Sequence, residues 1–182
     1  MKIALIAGHD AFRKQGAAVG VITENAFWSE FIQDILPKLN PKHQYRVFHR
    51  PNQAQYGYSK AVRLLHTDVD HWGANLDLEM HFNASSNLKV KGHEVLYYKT
   101  SRNGKKYARI LDNCFNKYLH NHDRGLKPVG RKQRGGYQLS IGRSISLISE
   151  AFFGPAEIAD FSRGGKYREE LERAFIEFTF AI

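Results

Sequence analysis

The chain has 182 residues, of which 42% are hydrophobic and 25% charged. This length and composition suit one globular domain with a core of its own. No segment approaches the roughly 20 consecutive apolar residues that span a bilayer, and the apolar run over residues 2–7 is too short for the core of a secretion signal. We therefore expect a soluble chain, synthesised in the cytoplasm without a signal peptide, that does not insert into membranes.

The chain is strongly basic, with 27 Lys and Arg against 18 Asp and Glu and a formal net charge of +9. Such a charge attracts polyanions over a long range. Nucleic acid and anionic cell-wall material both qualify, because attraction to phosphate needs no particular sequence motif. The single cysteine, Cys114, excludes an intramolecular disulfide and is predicted to be a buried thiol in a helix.

Hydrophobic periodicity predicts strands alternating with helices along the whole chain. An apolar strand over residues 2–7 leads into a glycine-rich loop that runs to about Gly20. Further strands are predicted near 45–49, 76–81, 92–98 and 144–149, and helices over 24–39, 59–72, 103–120 and 164–180. The basic segment 120–136 is predicted to be an exposed loop. The alternation indicates an α/β fold with helices on both faces of the sheet.

Three candidate zinc ligands occur where strands give way to loops or helices. His9 follows the first strand, Glu24 begins the first helix and His81 ends a later strand. Catalytic zinc commonly takes two histidines and a carboxylate and keeps a fourth position for water. Glu150, at the end of an apolar strand, is a candidate general base and general acid. Spacing alone leaves these roles open, because a histidine at a strand end is more often a hydrogen-bonded surface or core residue.

Several short segments, taken in chain order, resemble the motifs of the N-acetylmuramoyl-L-alanine amidase family often called amidase type 3. They are Gly8-His9 with Gly16-Ala17, Gly20 and Glu24, then Met80-His81-Phe82-Asn83-Ala84, Gly92-His93-Glu94-Val95-Leu96-Tyr97-Tyr98, Arg124-Gly125-Leu126-Lys127 and Leu147-Ile148-Ser149-Glu150-Ala151-Phe152-Phe153. The resemblance extends from residue 3 to about residue 160. Each motif is short, but their number and order make the set specific.

The resemblance implies zinc ligands at His9, Glu24 and His81, with Glu150 as the catalytic carboxylate. It implies a twisted, mostly parallel central sheet flanked by helices. The implied reaction is hydrolysis of the amide bond between N-acetylmuramic acid and L-alanine in peptidoglycan, by a phage or prophage endolysin or an autolysin that reaches the wall after release or export. Residues 1–182 are expected to form one catalytic domain without a separate cell-wall-binding domain.

Two segments depart from the family pattern. The family usually has a second glycine after the first histidine, where this chain has Asp10-Ala11-Phe12. Phe152-Phe153-Gly154-Pro155 stands where the family usually has a phenylalanine followed by an asparagine-containing turn. These departures indicate loops of another shape beside the site rather than another metal centre.

Four residues are candidate substrate contacts, each with a structural alternative. Asn83 either orients groups behind the metal ligands or caps its loop. Arg124, Lys127 and Arg131 belong to a basic rim for stem-peptide carboxylates or anionic wall polymers, or to an ordinary solvated loop. His93 is interpreted as an inter-strand polar residue rather than a substrate contact.

Two other functions compete with the amidase hypothesis. A zinc peptidase that cuts within the stem peptide would use the same ligands and carboxylate. A basic nucleic-acid-binding module would explain the net charge of +9, but the basic residues are scattered and neither an RNA-recognition aromatic motif nor a zinc-finger spacing occurs. Peptidoglycan is therefore the expected partner, and nucleic acid is not.

Overall fold

The computed structural model describes residues 1–11 and 22–182. Its six strands are β1 (Lys2–Ala7), β2 (Gln44–Phe48), β3 (Leu76–Asn83), β4 (His93–Tyr98), β5 (Asp123–Val129) and β6 (Ile145–Phe153). Its α-helices are α1 (Glu24–Ile35), α2 (Gln53–Tyr56), α3 (Tyr58–Trp72), α4 (Arg102–Tyr118), α5 (Gly154–Phe161) and α6 (Arg168–Ala181). Short 3₁₀ turns cover Leu36–Lys38 and Gln138–Ser140.

The strands form one sheet in the order β2-β1-β3-β6-β4-β5. All neighbouring pairs in this sheet are parallel except β4 and β6. Strands β4 and β5 therefore run opposite to the other four. The predicted α/β fold with a mostly parallel sheet is confirmed.

Alternating side chains on β1 bury both faces of the sheet. Ile3 and Leu5 belong to the larger core, which includes residues of α1, α4 and α6. Ala4 and Ile6 face the other way and pack with residues of α3. Because both faces are covered, this strand is almost continuously apolar, as strands of parallel sheets usually are.

Aromatic rings fill the larger core beneath the ends of β3 and β6. Phe152 is fully buried, stacks on Phe161 at 4.6 Å between centroids, and lies 5.3 Å from Phe82 and 5.4 Å from Phe27. Trp28 of α1 packs 5.9 Å from the same ring. This cluster supports the strand segments that carry His81 and Glu150.

Some sequence predictions were wrong in detail. Residues 123–129 form strand β5, not an exposed loop, because the strand completes the edge of the sheet beside β4. Helix α1 ends at Ile35, where Pro37 turns the chain into a 3₁₀ helix, and the last helix starts at Arg168 rather than 164. Helices α2 and α5 were not predicted, since each is only one or two turns long.

The predicted burial of the single cysteine is confirmed. Cys114 is buried in α4, as predicted. No helix within 1–11 and 22–182 combines the length and apolar character needed to cross a membrane. The motif residues Gly16, Ala17 and Gly20, with most of the predicted glycine-rich loop, lie outside the described residues.

We expect Phe152→Ala to lower the free energy of unfolding by about 3–5 kcal/mol, because it opens a cavity among rings that have little room to collapse. Phe180→Ala is the matched control, since that ring is 58% exposed, and it should cost no more than about 0.5 kcal/mol. Denaturant unfolding measures both. A loss at Phe152 no larger than at Phe180 would contradict the packing described.

Candidate active site

His9 is held in an unusual backbone conformation just beyond β1. Its φ angle is 62°, in the left-handed region that residues other than glycine rarely adopt. The side-chain amide of Asn25 on α1 donates to the carbonyls of Gly8 and His9, at 3.2 and 3.1 Å. Helix α1 thereby fixes the turn that aims the His9 imidazole.

Gly8 is required by a close approach to His81. Its amide donates to the Met80 carbonyl at 2.8 Å, continuing the β1–β3 ladder. A Cβ at position 8 would lie 2.6 Å from two atoms of the His81 ring and 2.7 Å from the Met80 carbonyl oxygen. Only a residue without a side chain fits beside that imidazole.

Glu24 links α1 to the strand that carries His81. Thr23 caps α1 by accepting from the Ala26 amide, so Glu24 occupies the first helical position. Its Oε1 accepts from the Phe82 amide at 3.1 Å and lies 2.8 Å from His81 Nδ1. Its Oε2 lies 3.4 Å from His9 Nε2. One carboxylate, 1% exposed, therefore contacts both imidazoles.

The buried charges of this cluster shift one another's titration. Burial by itself raises the pKa of Glu24, but hydrogen bonds and charge interactions with His81 and His9 outweigh it and lower the pKa to about 2. Burial opposes protonation of His81, yet Glu24 and Glu79 raise its pKa to about 10. Without a metal ion, a proton on His81 balances the two carboxylates beside it.

Glu79 is a site residue that the sequence reasoning missed. Its Oε1 lies 3.1 Å from His81 Nε2, on the side of the ring opposite Glu24. The Arg50 guanidinium donates to Glu79 Oε1, and Gln138 Nε2 donates to Oε2 at 2.6 Å. The alternation of β3 places Glu79 and His81 on the same face of the strand, but only side-chain packing brings the carboxylate against the ring.

The donor set fits a zinc ion. The ligand atoms of His9, Glu24 and His81 all lie within 4.8 Å of one another, and two imidazoles with one carboxylate form a common ligand set for catalytic zinc. With both imidazoles neutral, as metal ligation requires, a bound cation would offset the charge that the Glu24 carboxylate brings to the cluster, while Arg50 pairs with Glu79. Glu79 behind His81 resembles the carboxylates that orient metal-binding histidines.

Glu150 lies on β6 directly beside His81, its partner in the β3–β6 ladder. The residue is 7% exposed, and its Oε2 has no hydrogen-bond partner among the described residues. Burial raises the pKa of Glu150 to about 7, since the charges of His81 and Arg134 offset only part of that effect. Such a carboxyl group exchanges its proton near neutral pH.

Asn83 and Arg134 form one wall of the cleft with Glu94. Arg134 donates to Asn83 Oδ1 and to Glu94 Oε1, each at 2.6 Å, and Asn83 Nδ2 donates to Glu94 Oε1 at 3.1 Å. A third Arg134 contact reaches Glu150 Oε1 at 3.5 Å. Asn83 therefore belongs to a network that holds a guanidinium beside the candidate base.

The remaining predicted contacts lie farther out. Arg124 Nε donates to Glu94 Oε2 at 3.1 Å, and Lys127 Nζ lies 3.9 Å from the same oxygen. Arg131 instead lies over the Tyr137 ring. The cleft has a volume of about 500 Å³, and the residues that border it include His9, Glu24, His81, Asn83, Arg134 and Glu150. Arg124, Lys127 and Arg131 are not among the described residues that line the cleft.

Asp10 explains the departure after the first histidine. It is 1% exposed, and its Oδ2 accepts from the Gln53 amide at 2.9 Å, at the start of α2. Gln53 borders the cleft. A carboxylate in place of the family's usual glycine thus ties the His9 turn to the opposite side of the site.

Solved amidase structures have this fold. The catalytic domain of CwlV from Bacillus (Paenibacillus) polymyxa var. colistinus matches with a TM-score of 0.75 and 16% identity, over 99% of this chain and 96% of that one. AmiC2 of Nostoc punctiforme matches with a TM-score of 0.76 and 17% identity, over 100% of this chain and 96% of that one. The catalytic domain of the CD27L endolysin targeting Clostridia Difficile matches with a TM-score of 0.73 and 24% identity, over 100% of this chain and 97% of that one. No curated protein matches the sequence.

A cleft with clustered imidazoles and carboxylates at strand ends of an α/β sheet is a typical position for an active site. The family model for N-acetylmuramoyl-L-alanine amidase matches residues 3–152. The chain belongs to the N-acetylmuramoyl-L-alanine amidase family. The resemblance found in the short motifs is therefore confirmed, and it defines the protein as a hydrolytic amidase of peptidoglycan.

We expect Gly8→Ala to weaken zinc binding by about 10- to 100-fold, the range typical when the surroundings of a metal ligand are disturbed. The added methyl group would displace the His81 ring. Gly130→Ala is the control, because its nearest contact would be Gln133 Oε1 at 3.4 Å. Competition with a chromophoric chelator measures the affinity. Equal affinities in the two variants would contradict the role assigned to Gly8.

We expect Glu150→Gln to stabilise the metal-free protein at pH 8. The pKa shift from 4.5 to about 7, at about 1.4 kcal/mol per unit, makes ionised Glu150 cost about 3 kcal/mol. Between pH 4.5 and about pH 7 the folded chain keeps a proton on Glu150 that the unfolded chain releases. The contribution of Glu150 to the free energy of unfolding therefore falls as pH rises through this range. The gain of the variant should therefore vanish near pH 4.

Thermal unfolding of metal-free protein at both pH values measures this effect. Glu169→Gln, on a side chain that is 81% exposed, is the control and should change stability little at either pH. A Glu150→Gln variant that is no more stable than wild type at pH 8 would show that the carboxyl group is not desolvated.

Proposed function

We propose that this amidase uses a zinc ion, held by His9, Glu24 and His81, to hydrolyse the bond between N-acetylmuramic acid and L-alanine. The observation that carries the proposal is the convergence of these three ligands beside Glu150, whose strand pairs with that of His81. Two imidazoles and a carboxylate leave coordination positions for water and substrate. Family membership supplies the bond that is cut.

The bound zinc would supply Lewis-acid polarisation of the scissile carbonyl and acidification of a water molecule. Glu24 and His81 would keep their orientation through contacts already present without the ion, namely the Phe82 amide to Glu24 and Glu79 to His81. Such preorganisation lowers the cost of assembling the reactive geometry.

Glu150 would move the protons. As a carboxylate it takes a proton from the attacking water, and as an acid it returns that proton to the departing nitrogen of L-alanine. Its unpartnered Oε2 is available for this exchange, and its pKa of about 7 suits both directions. Arg134, 3.5 Å from Oε1, would hold the carboxyl group in place and favour its charged form.

The substrate would enter along the wall formed by Asn83 and Arg134. A cleft of about 500 Å³ has room for the scissile amide and the groups next to it, while the rest of the polymer would extend over the surface. Arg134 and the outer residues Arg124, Lys127 and Arg131 would favour stem-peptide carboxylates. The net charge of +9 supports attraction to anionic wall polymers as well.

We propose that the chain acts in cell-wall lysis, as an endolysin or autolysin. The support is the shared fold with the catalytic domain of an endolysin and with the CwlV amidase domain. The basic charge suits an enzyme that works on an anionic surface.

We expect purified peptidoglycan treated with the protein to gain free amino-terminal L-alanine while its glycan strands stay intact. The release should stop after chelation and return with zinc. Amino-terminal analysis of the soluble products measures it. Free amino termini of other stem-peptide residues would indicate the peptidase instead, and no cleavage at all would refute the proposed activity.

In the same assay Glu150→Gln should lower turnover by about 100- to 10,000-fold, the usual contribution of a general acid–base group. The variant should still bind one equivalent of zinc at the His9, Glu24 and His81 cluster, because Glu150 is not a ligand. Glu169→Gln should keep full activity, since its side chain is 81% exposed. Full activity in Glu150→Gln would remove that residue from the mechanism.

A further inference from the structure

A second group of potential metal ligands lies away from the cleft. His93 begins β4, Asp123 begins β5 and is its register partner, and Asp112 belongs to α4. Their ligand atoms all lie within 4.8 Å of one another. Adjacent residues on a strand face opposite ways, so Glu94 points to the cleft while the His93 ring contacts Phe115 of α4.

The hydrogen bonds of His93 settle which ring nitrogen has a lone pair. Asn121 Nδ2 donates to the Ala151 carbonyl at 3.0 Å, so Asn121 Oδ1 is the atom 2.7 Å from His93 Nδ1. An oxygen acceptor there requires that Nδ1 carry the proton. In the neutral ring His93 Nε2 is therefore an acceptor, fully buried and without a hydrogen-bond partner in the part of the chain that the structure describes.

Asp112 faces the same space with an unmatched carboxylate. The residue is 8% exposed, and its Oδ1 has no hydrogen-bond partner within the described ranges. The charges of Arg109 and Lys127 act on Asp112, but among the described residues neither side chain forms an ion pair with it, and Lys127 Nζ instead lies 3.9 Å from Glu94 Oε2.

Asp123 is oriented toward the other two groups by its own contacts. The Gly125 amide donates to Oδ1 at 2.6 Å and Asn116 donates to Oδ2 at 2.9 Å. Asp123 Oδ1 lies 3.7 Å from His93 Nε2. Among the described residues, His93 Nε2 and Asp112 Oδ1 are buried without a hydrogen-bond partner, although buried polar atoms in proteins are normally paired, and both residues converge with Asp123.

We propose that His93, Asp112 and Asp123 bind a second zinc ion, separate from the catalytic site. One imidazole and two carboxylates suit zinc, whereas magnesium prefers oxygen ligands and retains its waters. Asp123, with a side chain 44% exposed, gives the ion a route from solvent and leaves room for water as a fourth ligand. The ion joins α4 to the starts of β4 and β5, so its role is structural.

Zinc content per chain tests the site, using full-length protein stripped by a chelator, reloaded with zinc and dialysed. Wild type should hold two ions, Asp112→Asn one and Glu24→Gln one. Asp112→Asn preserves the shape of the side chain, and it removes no hydrogen bond from Oδ1 because that atom has no partner among the described residues. Asp68→Asn, on an exposed position of α3, should hold two. Amidase activity should persist in Asp112→Asn and be lost in Glu24→Gln.

A second measurement does not depend on the folding of the Asp112 variant. Zinc should raise the melting temperature of Glu24→Gln, because an ion that binds only the folded chain stabilises it, and magnesium should not. One zinc per wild-type chain, lost in Glu24→Gln but kept in Asp112→Asn, would overturn the second site and leave the catalytic proposal standing. One zinc lost only in Asp112→Asn would overturn the catalytic site instead. A Glu24→Gln protein that zinc does not stabilise would also refute the second site.

Discussion

The contact between Glu24 and His81 is the interaction on which the active-site geometry depends. It joins the first residue of α1 to the third-last residue of β3, across 57 positions of sequence. The same carboxylate accepts from the Phe82 amide and reaches His9, so helix, strand and loop meet at one buried group. Gly8 permits this assembly, because any side chain there would occupy the space of the His81 ring.

The cleft concentrates negative charge and balances it only in part. Glu79 and Glu94 are matched by guanidinium groups, from Arg50 and Arg134 respectively. Glu150 is left with a desolvated oxygen, and a carboxylate without full compensation is costly in the folded state. Such a cost is expected where a group must give and take a proton, since stability and activity often make opposite demands on a catalytic site.

Strand β4 separates two regions of different chemistry. Glu94 belongs to the ion-pair network of the cleft, and His93, one residue earlier, faces α4 with Asp112 and Asp123. The alternation of side chains along a strand allows both arrangements without interference. In the proposed arrangement, one face of the sheet carries the reacting groups. The other face holds an ion that links α4 to β4 and β5 at the edge of the sheet.

The sequence by itself determined the α/β class, the main strands and helices, and the family, because hydrophobic periods of two and of 3.6 residues and short ordered motifs are local signals. It also singled out His9, Glu24, His81 and Glu150, whose roles stay proposals. Only the tertiary structure decided that residues 123–129 form an edge strand, that Arg134 rather than Arg131 borders the cleft, and that Glu79 lies behind His81. These facts depend on which strands become neighbours and on side-chain contacts between residues distant in the chain, and no local pattern encodes them.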